Sequence, residues 1–300
     1  MPLTQQQLSE PQLLAAVARL SLNAREVVEG AISGLHQSPY HGFSVEFAQH
    51  REYTPGDEIR YIDWKVAGRS DRFYVKEFEE ETNLKAYLMV DSSDSMRYQG
   101  QRRPYSKLEY ASLLASALAS LLILQRDAAG LVLFNEGVHR TVPPRATGSQ
   151  YSQILEELVK IETRPKSDLG STFHSLAEQA RRRGLIVIFS DLFGDIQDVL
   201  SGLRHFRHRR HEVVVFHVLD EDEITFPFHD LTRFEGLENE PHLLVDPRGV
   251  RDEYLHHFNG FCEELERGCR EIQADLVRVT TSQPAADVLG EYLGRRARRR

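Results

Sequence analysis

The chain has 300 residues, 41% hydrophobic and 27% charged, a balance that supports a packed core and excludes a disordered polymer. Its formal charge of −8 argues against a nucleic-acid platform, although Arg295, Arg296, Arg298, Arg299 and Arg300 give it a basic end of the kind that complements a helix dipole. Cys262 and Cys269 are the only cysteines, and seven residues along a helix separate them by about 10 Å, too far for a disulfide; with no zinc-ligand spacing and no signal-like start in Met1–Gln7, the expectation is a cytoplasmic protein.

Leu13, Leu14, Val17, Leu20, Val27, Val28 and Ile32 recur at helical spacing and predict one or two amphipathic helices over about 10–34. Residues 42–47 and 72–78 alternate as strands. Between them Pro55-Gly56 marks a turn, and Arg51, Asp57, Arg60 and Asp63 are expected to form a salt-bridged cluster around Trp64, a structural staple that packs this segment onto the main domain. From residue 84 the rhythm becomes strand, helix, strand. A strand over 84–90 is followed by the capping box Ser106-Lys107-Leu108-Glu109 and a helix to about 126. That helix is apolar nearly all round; it stops short of a ~20-residue membrane span and reads as buried against a sheet. Strands follow at 130–135 and 138–142, helices at 151–161 and 173–183, and a strand at 185–190 whose unbroken apolar run suits burial on both faces. Then come a helix at 195–208, a strand at 212–218, a short edge strand at 243–246, a helix at 251–274, a strand at 276–280 and a helix at 284–296. This alternation predicts an α/β fold: a doubly wound, mostly parallel sheet with helices on both faces, preceded by an N-terminal helical and β extension. The predicted division is residues 1–81 for the extension, packed on the main domain, and 82–300 for that domain.

The first of these α/β strands runs into Asp91-Ser92-Ser93-Asp94-Ser95. Asp91, Ser93 and Ser95 put a carboxylate and two hydroxyls at alternate positions on a strand tip, where open α/β sheets place ligands. Oxygen donors of this kind suit a hard cation such as Mg²⁺ or Mn²⁺. Thr172, in Gly170-Ser171-Thr172, and Asp191, at the end of a second apolar strand, complete the predicted set. Three neutral hydroxyls and two carboxylates, one or both acting through water, would leave the ion electrophilic and able to accept a carboxylate from a client protein. Asp94 adds acidity without being a primary ligand. The same residue types also cap helices and turns, so the reading depends on the three segments meeting in space.

With these motifs the chain resembles von Willebrand factor A-type domains, specifically the bacterial family catalogued as domain of unknown function 58. The resemblance covers most of the chain. It is carried by Glu46-Phe47 through Arg51-Glu52-Tyr53, by Pro55 to Trp64, by Phe78-Glu79-Glu80-Glu81-Thr82 and by Asp91 to Met96. It implies an A-type fold and a metal site at Asp91, Ser93, Ser95, Thr172 and Asp191. It also implies partnership with a MoxR-type AAA+ ATPase in chaperone-like maturation or remodelling of other proteins. Members often carry Gly-Thr-Asp where this chain has Ser171-Thr172-Phe173, while Asp191 in Phe189-Ser190-Asp191-Leu192 matches well.

Other chemistry is poorly served. No phosphate-binding Gly-x-x-x-x-Gly-Lys-Ser/Thr loop, nucleophile elbow or Ser–His–acid set is present, so a non-enzymatic interaction module is expected. His205, His208 and His211 recur every three residues, but on a cationic helix end that repels metal ions. The competing expectation is a Mg²⁺-dependent phosphoester hydrolase with Asp91 or Asp94 as nucleophile or base. The absence of a phosphate-gripping lysine or arginine beside the cluster weighs against it.

Overall fold

The computed structural model describes residues 45–52, 74–80, 84–101, 103–135, 137–164, 169–180, 183–237 and 242–298. The chain divides into two compact units, Tyr40–Leu84 and the remainder. In the first, β1 (Val45–Glu52) and β2 (Tyr74–Glu80) pair antiparallel, Val45 opposite Glu80 and Glu52 opposite Tyr74. The helices expected over 10–34 and the Tyr53–Trp64 segment lie outside the described residues.

The second unit runs β3 (Lys85–Asp91), α1 (Lys107–Leu124), β4 (Ala128–Phe134), β5 (Val138–Arg145), α2 (Gly148–Val159), α3 (Leu169–Gln179), β6 (Leu185–Ser190), α4 (Ile196–His208) and β7 (Glu212–Leu219). It continues through α5 (Glu221–Thr225), β8 (Thr232–Phe234), β9 (Leu243–Val245), α6 (Pro247–Glu271), β10 (Asp275–Thr280) and α7 (Ala285–Arg298). Six strands form one sheet in the order β10-β7-β6-β3-β4-β5. All neighbours are parallel except β4 and β5. Every residue of β4 and β6 is buried, as their unbroken apolar runs require. β5 alternates and carries Pro143 and Pro144, which cannot donate to a ladder, so it closes the sheet as an edge.

Strand periodicity sends alternate residues to opposite faces. On one face Met89, Ile186, Ile188 and Val215 pack with Phe173 of α3, Phe206 of α4 and Leu265 of α6. On the other, α1 lies against β3, β4, β6 and β7, and α7 packs on α1. There Phe189 stacks on Phe216, whose ring meets the Tyr292 edge at a centroid distance of 5.3 Å. The expected doubly wound sheet, with helices on both faces, is therefore the one observed. α1 is the one described helix long and apolar enough to cross a membrane, and most of it is buried in this core.

Several elements differ from expectation. Leu243–Val245 is not an edge of the main sheet: it pairs with β8 in a separate two-stranded sheet. An isolated apolar triplet does not specify its partner, and here Phe234 of β8 joins the aromatic cluster of Phe226 and Phe228. α6 starts at Pro247 rather than 251, because Asp246 caps it and proline suits a first helical turn. α3 starts at Leu169, four residues earlier than predicted, so Thr172 lies inside a helix. The two cysteines are free and buried on α6.

The three histidines near the end of α4 do not share a site. His205 Nδ1 lies 3.0 Å from His174 Nδ1, whereas buried His211 places Nε2 3.0 Å from the Ala180 carbonyl. Burial pushes the His211 pKa below the ordinary histidine value, with the backbone contacts opposing it. The unfolded chain therefore takes up this proton first as pH falls, and the associated stability is present above the ordinary value of about 6.5 and lost below it. In denaturant titrations we expect His211→Gln to lose less stability than the parent chain between about pH 7 and pH 5.5. Equal losses in the two proteins would refute this assignment.

Candidate metal centre

The sheet order places a topological switch point between β3 and β6: from β3 the chain passes to β4, whereas β6 leads away to β7. Asp91 ends β3, Ser190 ends β6, and Asp191 is the residue just past it. Asp91 is fully buried. Its Oδ1 accepts a 2.9 Å bond from the Ser93 amide, and its Oδ2 accepts a 2.5 Å bond from the Ser190 hydroxyl. The carboxylate is thus fixed by its own loop and by the neighbouring strand.

The following residues form a shaped loop rather than a loose turn. Ser92 is turned aside, its hydroxyl donating to the Phe134 carbonyl at 3.0 Å and lying 2.8 Å from His139 Nε2. The Ser93 and Ser95 hydroxyls are 3.0 Å apart. A 3-10 turn over Asp94–Arg97 follows, anchored by buried Met96. The loop is also stitched to Arg164: the Asp94 amide donates to the Arg164 carbonyl, and the Arg164 amide to the Ser92 carbonyl.

Thr172 reaches the same sheet end from the first turn of α3. Its hydroxyl is 3.4 Å from the carbonyl of Asn135, the residue just past β4, and Phe134 before it pairs with Asp91. Gly170 permits this placement, since a Cβ there would stand 2.8 Å from the Asp198 Cβ of α4.

Asp191 is held differently. Its Oδ1 accepts from the Phe193 amide at 3.1 Å, across a turn in which Leu192 adopts φ of 53°, a left-handed conformation costly for leucine. His217 Nε2 lies 2.9 Å from the Asp191 carbonyl. The Asp191 Oδ2 accepts a 2.9 Å bond from Lys107 Nζ, and that ammonium also donates to Glu223 Oε1 at 2.6 Å. Lys107 is only 1% exposed and lies 5.0 Å from the centre of the Phe193 ring. Burial opposes its charge, but Asp191 and Glu223 outweigh that cost and keep the ammonium charged. Burial raises the Glu223 carboxyl, and Lys107 opposes the rise.

Sequence reasoning does not place a lysine here, yet Lys107 stands beside the cluster, held by two carboxylates rather than free to grip a phosphate. Lys107 occupies the first position of α1, and the Ser106–Glu109 capping box that starts the helix also fixes its place. Sequence reasoning likewise misses α5, although Asp220 and Glu223 form a second capping box there. Of the five predicted residues, Asp91, Ser93 and Ser95 share one loop, Thr172 joins through Asn135, and Asp191 follows the serine that bonds Asp91. Three hydroxyls and a fixed carboxylate at one sheet end offer oxygen donors only, the donor chemistry that suits a hard divalent cation. Among the described residues no group of three or more His, Cys, Asp or Glu side chains is placed to hold a metal ion.

Residues 49–259 match the family described as "Protein of unknown function DUF58". The chain belongs to this family. One similar relative is the uncharacterized protein Rv1480 of Mycobacterium tuberculosis, 28% identical over 298 residues, covering 96% of this chain and 92% of that one. The uncharacterized protein YeaD of Bacillus subtilis is 30% identical over 123 residues, 41% of this chain and 28% of that one. Among solved structures, the conserved hypothetical protein BatB of Bacteroides thetaiotaomicron is similar at TM-score 0.48 and 16% identity, over 72% of this chain and 99% of that one. The SpRpn10 VWA domain is similar at TM-score 0.39 and 11% identity, over 69% of this chain and 93% of that domain.

Proposed function

We propose that this DUF58 chain is a non-enzymatic protein-interaction module of the von Willebrand factor A type, dependent on Mg²⁺ or Mn²⁺. Asp91, Ser93, Ser95, Thr172 and Asp191 would hold the ion, and a client protein would offer it a carboxylate. In this reading it works in the cytosol with a MoxR-type AAA+ ATPase, in chaperone-like maturation or remodelling of other proteins. One observation carries the metal reading: a buried, doubly anchored Asp91 stands beside paired serine hydroxyls at the switch point of the sheet. Asp191 strengthens it, because part of its charge is already offset by Lys107. A site with little direct anionic donation leaves its cation in need of an outside carboxylate.

The chemistry the ion would supply when bound is Lewis acidity toward that carboxylate. The protein's part is to position the hydroxyls through the loop stitched to Arg164 and to hold Thr172 through α3. The hydrolase reading gains nothing from Lys107, whose ammonium is already committed to two carboxylates.

Affinity capture from the source organism's lysate, eluted with EDTA and read by mass spectrometry, tests the proposal. An AAA+ ATPase or a carboxylate-presenting client released by EDTA supports it. The ATPase retained through EDTA would assign its docking to another surface. If no specific partner appears in either condition while a phosphoester is turned over with Mg²⁺, the interaction reading is lost to the hydrolase one.

A further inference from the structure

Lys107 sits against three local preferences at once. It is a lysine with almost no exposure, it lies at a helix N-terminus where the dipole disfavours a cation, and it points into a site whose residues fit a cation. Its position is nevertheless over-determined. Ser106 caps the helix, Asp191 and Glu223 take the ammonium, and the Phe193 ring lies alongside it. Glu223 is placed from beyond the site: its Oε2 accepts from the Asp220 amide in the α5 capping box, and its carbonyl accepts from the Tyr254 hydroxyl of α6.

We propose that Lys107 is a resident positive charge that competes with the divalent cation for Asp191, so that Lys107 and Glu223 together set the affinity of the site for its ion. This rests on the metal reading above. Two cations drawn to one carboxylate repel one another, and the repulsion is strong where water is excluded. Glu223 moderates the competition by sharing the ammonium. With Glu223 neutral, Lys107 would bind Asp191 more tightly and the ion less so. With Lys107 gone, Asp191 would turn its full charge to the ion. Lys107 is thus a positioning residue for Asp191, and the helix bearing Glu223 tunes the site although it supplies none of the proposed ligands.

The test is calorimetric titration of the full chain with Mg²⁺ and with Mn²⁺, with free Mn²⁺ counted independently by electron spin resonance. Lys107→Met is expected to bind each ion at least about tenfold more tightly, and Glu223→Gln at least about threefold more weakly. The double variant should bind more tightly than the parent, with the Glu223→Gln effect reduced below about twofold once Lys107→Met is present. A mere loss of structural support would weaken binding in all three, and a simple field effect of Glu223 would persist without Lys107. If Lys107→Met alone does not fold, the double variant, which leaves no unpaired glutamate, decides the direction. Weaker or unchanged binding by a folded Lys107 variant overturns the proposal. Equal binding in every protein overturns it while leaving the metal reading intact, and no binding in any of them removes both. Binding by the Lys107 variants but not by the parent supports it in its strongest form.

Discussion

Asp91→Asn is expected to weaken Mg²⁺ binding by at least about a hundredfold while leaving a folded protein. The substitution keeps the size and shape of the side chain and removes its charge. Asp91 accepts from the neutral Ser93 amide and Ser190 hydroxyl, whereas Asp191 shares its charge with the Lys107 ammonium, so the Asp91 charge is expected to contribute most to holding the ion. The structural cost should be limited. Asparagine still offers one acceptor, which serves the Ser93 amide, but its amide nitrogen then faces the Ser190 hydroxyl, which must rotate. Disturbing one buried charge-assisted bond of this kind costs about 1–3 kcal/mol. Titration calorimetry paired with urea unfolding separates the two effects. Unaltered Mg²⁺ affinity in a folded Asp91→Asn protein would remove Asp91 from the ligand set, and with it the proposed site.

The main sheet is legible in the sequence because its strands are unbroken apolar runs and its helices carry readable caps. Leu185–Ser190 is legible to the residue, and α4 begins one residue after the predicted 195, with Asp195 as its cap. Asp91, Ser93 and Ser95 are legible for a related reason: the loop they form is local, and two-residue spacing after a strand puts alternate side chains on one side. Lys107 is hidden because its meaning is entirely long-range, with partners 84 and 116 residues away. As part of a capping box it looks fully explained. The available clue is the conflict itself, since a lysine at the start of an otherwise apolar helix runs against the dipole and sequence conflicts of that kind gather at functional sites. The sequence reading starts a helix at 173 and leaves Thr172 just before it, since a glycine such as Gly170 is a poor helix former. Here the glycine instead allows α3 to approach α4, a fact that depends on Asp198 and appears only once the helices are packed.

That helix contact yields the second large effect. Gly202→Ala should destabilise the protein by about 1–3 kcal/mol, although alanine is the better helix former by nearly 1 kcal/mol. A Cβ at 202 would stand 2.5 Å from the Cβ of Phe173, a rigid neighbour with no flexible end to yield. Phe173 is itself fully buried, with its ring edge-on to Phe134 at a centroid distance of 5.5 Å and near Phe206 at 6.2 Å. The strain must therefore move α3 as a body rather than one side chain. Thr172 is the residue before Phe173, so the same substitution should weaken Mg²⁺ binding as well. Gly260→Ala in α6 provides the control, because a Cβ there meets nothing within 4 Å. There the propensity gain is unopposed, and the variant should be more stable by roughly 0.5–1 kcal/mol with unchanged Mg²⁺ affinity. Denaturant unfolding and calorimetry on both variants test both effects. A stabilised Gly202→Ala would show that the α3–α4 approach is looser than described, and a destabilised protein with unchanged Mg²⁺ affinity would separate the position of α3 from the binding of the ion.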